Sequence, residues 1–487
     1  MNESPGNGTG GERIARFTGL LTGSGIICKI LLLIFAILAA DILGRDSYGY
    51  LEYLLEMALI FGVLVDFGLE QTVTRDLAKW KDRFRVVAEA ILGYRLVVSL
   101  FVFVVMELTL FVIDLSIRDR VYWVENSLAS IYCVIIFHGA LTKALLRSQE
   151  QLAAEAGINL ADRTFLVVAG IAALWMGGRI SALLWVYMAS GLLAMALGWR
   201  VIFRRIAPCR PRWDFHLALT WQRTAVPIGL SAACILLLHR EDTVMVNILA
   251  GDAETGIYKA AYRPFEGLFL FPQMLAVASY PVLSSLYAQG ESIDRLIARF
   301  LRLLMYLSIP MAIGGTLIAE SFMEQCYPKY APDGVMVLML LVWSLPFIFG
   351  NFLLGTVLNA IDRQKKNFYS SILAMGSNFV LNIPAILRYG AEGAAAVTIF
   401  SQALYFCALV YYCRDRMEWH RKDLCRSFGM IVAALTMAAI LVALPYAWYW
   451  EVLIGAAVYG AGLVIFRGAV QEDLDLARSI LGLRNRT

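Results

Sequence analysis

Residues 17–50 read FTGLLTGSGIICKILLLIFAILAADILGRDSYGY. A run of apolar residues from Phe17 to Ile42 closes on a turn, Gly44-Arg45-Asp46-Ser47, and a second apolar run opens at Tyr50. About 20 apolar residues are needed to cross ~30 Å of hydrocarbon as a helix. The stretch therefore predicts one membrane-spanning helix, a short turn and the start of another. The same pattern continues along the chain. Of 487 residues, 60% are hydrophobic and 16% charged, and the mean hydropathy is +0.67. A soluble chain is nearer ~45–50% apolar and ~25% charged. No alternating short strands of a closed barrel are visible.

The length criterion gives about fourteen spans. They run near Phe17–Ile42, Tyr50–Thr72, Val86–Ile113, Val124–Leu145, Leu152–Met176 and Ser181–Phe203. Next come Ala225–Leu249, Gly256–Leu283, Leu301–Phe322, Val335–Ile361, Phe368–Leu387 and Gly393–Tyr412. Two short ones follow, Phe428–Ala447 and Val452–Phe466. The fold class expected is an all-α polytopic membrane protein, with two pseudo-symmetric six-helix lobes plus two C-terminal helices. The boundaries are a cytoplasmic tail over 1–16, lobes over 17–213 and 214–413, and a remainder over 414–487.

Lys and Arg sit in alternate loops. Arg75, Lys79, Lys81, Arg83 and Arg85 follow the second span, and Arg204, Arg205, Arg210 and Arg212 follow the sixth. Arg363, Lys365 and Lys366 follow the tenth, and Arg414, Arg416, Arg421, Lys422 and Arg426 the twelfth. The intervening loops are poor in them. Positive loops stay in the cytoplasm, so both termini are expected inside, in a cell membrane. The net charge of +4 and the lack of a basic stripe argue against nucleic acid. Eight cysteines form no CxxC pair, so neither metal, cofactor nor disulfide is implied. No loop approaches the ~50 residues of a small domain, which weighs against an enzyme with a soluble catalytic part.

The chain also repeats itself. Ile42-Leu43-Gly44-Arg45-Asp46-Ser47-Tyr48-Gly49-Tyr50 resembles Ile248-Leu249-Ala250-Gly251-Asp252-Ala253-Glu254-Thr255-Gly256-Ile257-Tyr258. Both lie between the first and second spans of a six-span block. An even block length gives both halves one orientation, hence a parallel repeat with a cavity between halves.

A charge at the bilayer centre costs ~2.5–3.5 kcal/mol on insertion scales, so charges there face a partner or a cavity. Lys29, Arg95, Arg240 and Arg263 are the candidate cavity cations, present in both halves. Such walls suit an anionic headgroup, and Arg holds a diphosphate bidentately. Asp66, Glu70 and Asp242 are candidates for ion or proton coupling. Asp162 and Arg163 read equally well as a structural pair. Lys143, Arg147, Arg223 and Arg302 read as side chains snorkelling to the interface. Asn351, Asn359, Asn378, Asn382 and Gln402 read first as interhelical packing groups.

Several stretches together resemble the polysaccharide-transport branch of the MOP (multidrug/oligosaccharidyl-lipid/polysaccharide) exporter superfamily, which includes Wzx-type flippases. They are Leu43-Gly44 with Tyr48-Gly49-Tyr50, Asp66-Phe67-Gly68-Leu69, Thr74-Arg75-Asp76-Leu77-Ala78, and Ala225-Val226-Pro227-Ile228. Gly256-Ile257-Tyr258-Lys259-Ala260-Ala261-Tyr262-Arg263 and Tyr280-Pro281-Val282-Leu283-Ser284 complete the set. The likeness covers roughly Phe17 to Cys413. It implies two six-helix lobes, a rocker-switch cycle and export of a polyprenyl-diphosphate-linked oligosaccharide for surface polysaccharide or O-antigen. Partners implied are the lipid-linked oligosaccharide, membrane lipids, a glycan polymerase and glycosyltransferases. Ala40-Asp41-Ile42 replaces the Ala-Arg that the family often carries there. The alternatives are a cation-coupled multidrug exporter of the same superfamily and a flippase for a cell-wall lipid precursor. Membrane potential gives the direction: a diphosphate of about two charges leaving a negative cytoplasm gains roughly 4–5 kcal/mol at 100 mV.

Overall fold

The computed structural model describes residues 10–118, 121–416, 421–443 and 447–466. Of the tail expected over 1–16, residues 1–9 lie outside the described residues and 10–16 are helical; 467–487 and the side chains of Arg421, Lys422 and Arg426 also lie outside them. Among the described residues the structure is helical, without strands. In hydrocarbon every backbone polar group must be bonded within its own segment, and the α-helix does this.

The first helix, α1, runs Gly10–Asp66 over 57 residues. Unbroken, it would be nearly three times the ~30 Å of a bilayer core. It breaks at Gly44, whose φ of 76° and ψ of 174° only glycine adopts without strain. The two expected spans are its two limbs. The second limb ends at Asp66, because Phe67 and Gly68 both take positive φ. Asp66 carboxylate oxygens then accept from the amides of Gly68 and Glu70, each at 3.2 Å, and α2 (Leu69–Lys79) begins. This interruption inside the expected second span was not legible from hydropathy, since Phe67 and Leu69 keep the run apolar.

The helices α3 (Phe84–Ile117), α4 (Trp123–Ser148), α5 (Leu152–Trp175) and α6 (Ile180–Arg205) follow with short links. α7 (Phe215–Ala250) is 36 residues long. The expected eighth span is two helices, α8 (Asp252–Gly267) and α9 (Leu270–Ala288), bent by 41°. Next comes α10 (Asp294–Cys326), then α11 (Ala331–Val342) and α12 (Leu345–Ala360), again bent by 41°. α13 (Gln364–Cys413) breaks at Gly390, φ 55°, into the expected eleventh and twelfth spans. α14 (Arg421–Ala443) and α15 (Trp448–Ile465) end the described fold.

Among the described residues eight helices are long and apolar enough to cross a membrane, or ten if each bent pair is one span. Dividing α1 and α13 at their glycines, and adding the more polar α7 and the shorter α14, recovers the spans read from the sequence. This is a polytopic, multi-pass, all-α membrane protein.

Packing divides the chain into two compact units. The first is Met1–Leu43 with Tyr50–Arg240, and the second is Gly44–Gly49 with Glu241–Thr487. The division falls inside α7. The core of the first unit joins α2, α3, α4 and α6 through Val73, Leu77, Ile91, Leu141, Leu145 and Ile202. In the second unit α14 and α15 pack on α10 through Tyr306, Ala433, Met437, Leu441 and Tyr459.

Candidate functional site

The structure groups the polar side chains that lie inside the helices. In the first unit Arg95 of α3 is fully buried and its Nη2 donates to Asp66 Oδ1 at 2.6 Å. The break at Phe67-Gly68 places that carboxylate, because Asp66 also caps α2. Burying either charge alone would cost several kcal/mol, so the pair forms as a unit. The nearby His138 Nε2 and Ser99 Oγ are 3.0 Å apart.

Glu70 receives Arg147 Nη2 at 2.6 Å, and Arg147 Nε lies 3.0 Å from Glu155. Arg147, read as a snorkelling side chain from its place near the end of α4, is thus part of an ion-pair network. Asp162 accepts from Ser190 of α6, and Arg163 approaches Asp162 at 3.7 Å. Glu70, Arg147, Asp162, Arg163 and Ser190 border a cavity of about 350 Å3. Lys29 lies half-buried on α1 of the same unit, beside Cys28, whose Sγ donates to the carbonyl of Asn159.

Arg240 of α7 donates from Nη1 to Glu56 Oε1 at 2.8 Å, and Glu56 is 2% exposed. Glu52 and Glu56 are functional candidates that the sequence reading passed over. They sit in Leu51-Glu52-Tyr53-Leu54-Leu55-Glu56, where i, i+4 spacing puts both carboxylates on one helical face. That spacing, inside an apolar run, was the available signal.

In the second unit Asp242 is buried, and among the described residues its hydrogen bonds come from neutral groups. Oδ1 accepts from Asn382 Nδ2 at 2.7 Å. Oδ2 accepts from Thr398 Oγ1 at 2.8 Å and Tyr258 OH at 3.0 Å. Asn382 also donates to Asn378 Oδ1 at 2.7 Å, so both asparagines belong to the Asp242 cluster rather than to plain helix packing. Its chemistry is one carboxylate among amide and hydroxyl oxygens.

Arg263 of α8 reaches Glu266 at 3.4 Å, a loose i, i+3 contact. Lys259, one turn earlier, is fully buried with Nζ 5.1 Å from the Tyr262 ring centroid. Beside Arg263, Pro264 and Phe265 border an apolar cavity of about 590 Å3. Leu303, Leu307 and Met311 of α10 and Leu441, Val452 and Leu463 of α14 and α15 line its other sides. Outside the spans, Cys209 is buried in the link between α6 and α7, and burial pushes its thiol up to about 11.

A multi-span helical fold that buries ion pairs and a neutral-ligated carboxylate inside its spans is that of a membrane transporter. The family model described as "Polysaccharide biosynthesis protein" matches residues 14–287, and the MatE model matches 227–383. The chain belongs to the polysaccharide biosynthesis protein family. It is 20% identical over 403 residues to an uncharacterized membrane protein, MJ1375, of Methanocaldococcus jannaschii, covering 80% of this chain and 95% of that one. The probable low-salt glycan biosynthesis flippase Agl15 of Haloferax volcanii is 20% identical over 364 residues, covering 74% and 75%. The probable flippase AglR of the same organism is 26% identical over 167 residues, or 34% of this chain and 35% of that relative. Among solved structures, the lipid II flippase MurJ in an inward closed conformation superposes with a TM-score of 0.73 at 16% identity, covering 92% of this chain and 99% of that one. An inward-facing MATE family transporter superposes at 0.60 with 14% identity, covering 80% and 94%. These likenesses show the fold.

Proposed function

We propose that this protein is a flippase carrying a polyprenyl-diphosphate-linked oligosaccharide from the cytoplasmic to the outer leaflet by alternating access. The observation that carries the reading is the apolar cavity of about 590 Å3 bordered on α8 by Pro264 and Phe265, the two residues that follow Arg263 in the chain. An isoprenoid chain needs apolar walls, and its diphosphate needs a cation at their end. Flippase relatives and the family assignment support the same class. The two lobes over 17–213 and 214–413, cytoplasmic termini, a cell-membrane location, and work alongside a glycan polymerase and glycosyltransferases belong to this proposal.

The proposed roles divide by partner. Lys29, Arg95, Arg240 and Arg263 are the proposed headgroup cations; Arg95 and Arg240 also pair with Asp66 and Glu56, and Arg263 is the one that directly precedes the cavity-lining Pro264 and Phe265. Asp66 and Glu70 each have an Arg partner, whereas among the described residues the hydrogen-bond partners of Asp242 are neutral. Asp242 is therefore the carboxylate for a coupling proton or monovalent cation.

The test is export of lipid-linked glycan by cells carrying Arg263→Ala, with the protein level in the membrane measured alongside. Loss of export at a normal level supports the reading. Wild-type export at a normal level sinks the headgroup role.

A further inference from the structure

The first unit contains a second cavity, of about 350 Å3, which the transport reading above does not use. That volume is at the low end of the ~300–1,000 Å3 typical of small-ligand pockets. Its walls are mixed in an unusual way for a membrane interior. Tyr132, Phe137 and Tyr187 present rings, with Tyr132 and Tyr187 edge-on at 5.5 Å. Lys143, Arg147 and Arg163 present donors, and Glu70 and Asp162 present carboxylates. Glu155 lies behind Arg147.

Three ligand classes can be weighed against those walls. An apolar ligand would satisfy none of the remaining hydrogen-bonding capacity of Lys143, Arg163 and Asp162 and would desolvate them further. A simple anion gains little, because Glu70, Glu155 and Asp162 balance Lys143, Arg147 and Arg163. A polyhydroxylated ring fits both features. Each hydroxyl donates to a carboxylate and accepts from an ammonium or guanidinium. The C–H face of a pyranose packs on aromatic rings.

The ionic network also leaves capacity for such a ligand. Arg147 Nη2 donates to Glu70 but its Nε, though 3.0 Å from Glu155, makes no hydrogen bond, and among the described residues the one ion pair of Arg163 is the 3.7 Å approach to Asp162. Lys143 feels Asp162, Glu155 and Glu70 only at a distance, with no hydrogen bond or ion pair to a described residue. On the wall beside them stands Gly139, where an added Cβ would meet no atom within 4 Å. The glycine leaves space that any side chain would take.

We infer that this cavity is a sugar subsite, receiving a monosaccharide unit of the transported glycan between the tyrosines and the Lys143–Arg163–Asp162 group. The inference rests on the glycan-transport reading and deepens it.

The test uses the full-length protein in lipid nanodiscs and saturation-transfer NMR, with methyl glucoside, N-acetylglucosamine and glucuronate as probes. Ring-proton saturation from at least one of them is expected. Gly139→Ala should keep it within about twofold, and Gly139→Leu, which fills the space, should weaken it about tenfold. If Gly139→Leu fails to fold, Lys143→Met carries the same test, with a loss of about tenfold at an unchanged melting temperature. No saturation from any probe, an unchanged signal in both variants, or displacement by equimolar phosphate each overturns the subsite. Sugar binding absent from a protein that still exports glycan removes the subsite and leaves the transport reading. Sugar binding in a protein that exports none removes the transport reading alone.

Discussion

Gly49 and Gly256 each lie against the backbone of the other's turn. A Cβ on Gly49 would fall on the carbonyl of Asp252 and 2.6 Å from the amide nitrogen of Gly256, and a Cβ on Gly256 would fall on the carbonyl of Arg45. These are the two turns whose likeness is visible in the sequence. Their opening glycines match as well: Gly44 has φ 76° and ψ 174°, and Gly251 has φ 94° and ψ −178°. The repeat is therefore a matched pair of backbone turns that touch, each needing one glycine for its conformation and one for its neighbour.

Substitution at the touching pair should be costly. Gly49→Ala and Gly256→Ala each force backbone against backbone, which no rotamer relieves, at roughly 1–3 kcal/mol. Both are expected to lower the thermal midpoint in detergent. Gly460→Ala, which meets nothing within 4 Å, should leave it unchanged. Equal midpoints for all three would refute the close approach.

Much of this was readable beforehand. Hydropathy located the spans because bilayer thickness fixes helix length. It missed the break at Phe67-Gly68 because a positive φ at Phe67 leaves no trace in residue polarity. The 41° bends within the eighth and tenth spans involve no positive φ, since Leu268, Phe269, Trp343 and Ser344 stay in the right-handed helical region, and hydropathy shows each span as one run. Composition marked Arg95, Arg240 and Asp242 as intramembrane charges, but not their partners. Asp66 lies 29 residues from Arg95, and Glu56 lies 184 from Arg240. Such pairings are set by helix packing, which single-sequence periodicity does not encode.

The Arg95–Asp66 pair gives a second prediction. With side-chain exposures of 0% and 16%, it is largely withdrawn from solvent. Removing one partner strands the other charge, at about 3–5 kcal/mol, whereas removing both can be nearly neutral. Arg95→Met and Asp66→Asn should each reduce folded yield, and the double variant should recover part of it. Additive losses in a double-mutant cycle would show that the two do not act as a pair.

Asp242 gives a third. Asp242→Asn keeps one acceptor oxygen for Thr398 and Tyr258. Its new amide then faces Asn382, which can turn its own oxygen toward it, so the fold should survive. What disappears is the charge. The dependence of glycan export on sodium or pH should flatten in this variant while its melting temperature stays within a few degrees. Wild-type ion and pH dependence in Asp242→Asn would remove Asp242 from coupling.

Loop chemistry tests the orientation. The basic segment after α6 is expected in the cytoplasm, and the segment between α10 and α11 outside. Arg210 and Lys329 are exposed in these two segments. A membrane-impermeant maleimide added to intact cells should label Lys329→Cys, and should label Arg210→Cys only after permeabilisation. Cys209, one residue from Arg210, provides an internal control. It is buried, and a thiol pushed up to about 11 stays protonated at neutral pH, where only the thiolate attacks. Its labelling in permeabilised cells should lag that of Arg210→Cys by more than tenfold and rise as pH approaches 11. Labelling of Arg210→Cys in sealed cells would invert the topology, and with it the direction in which the potential drives an anionic headgroup.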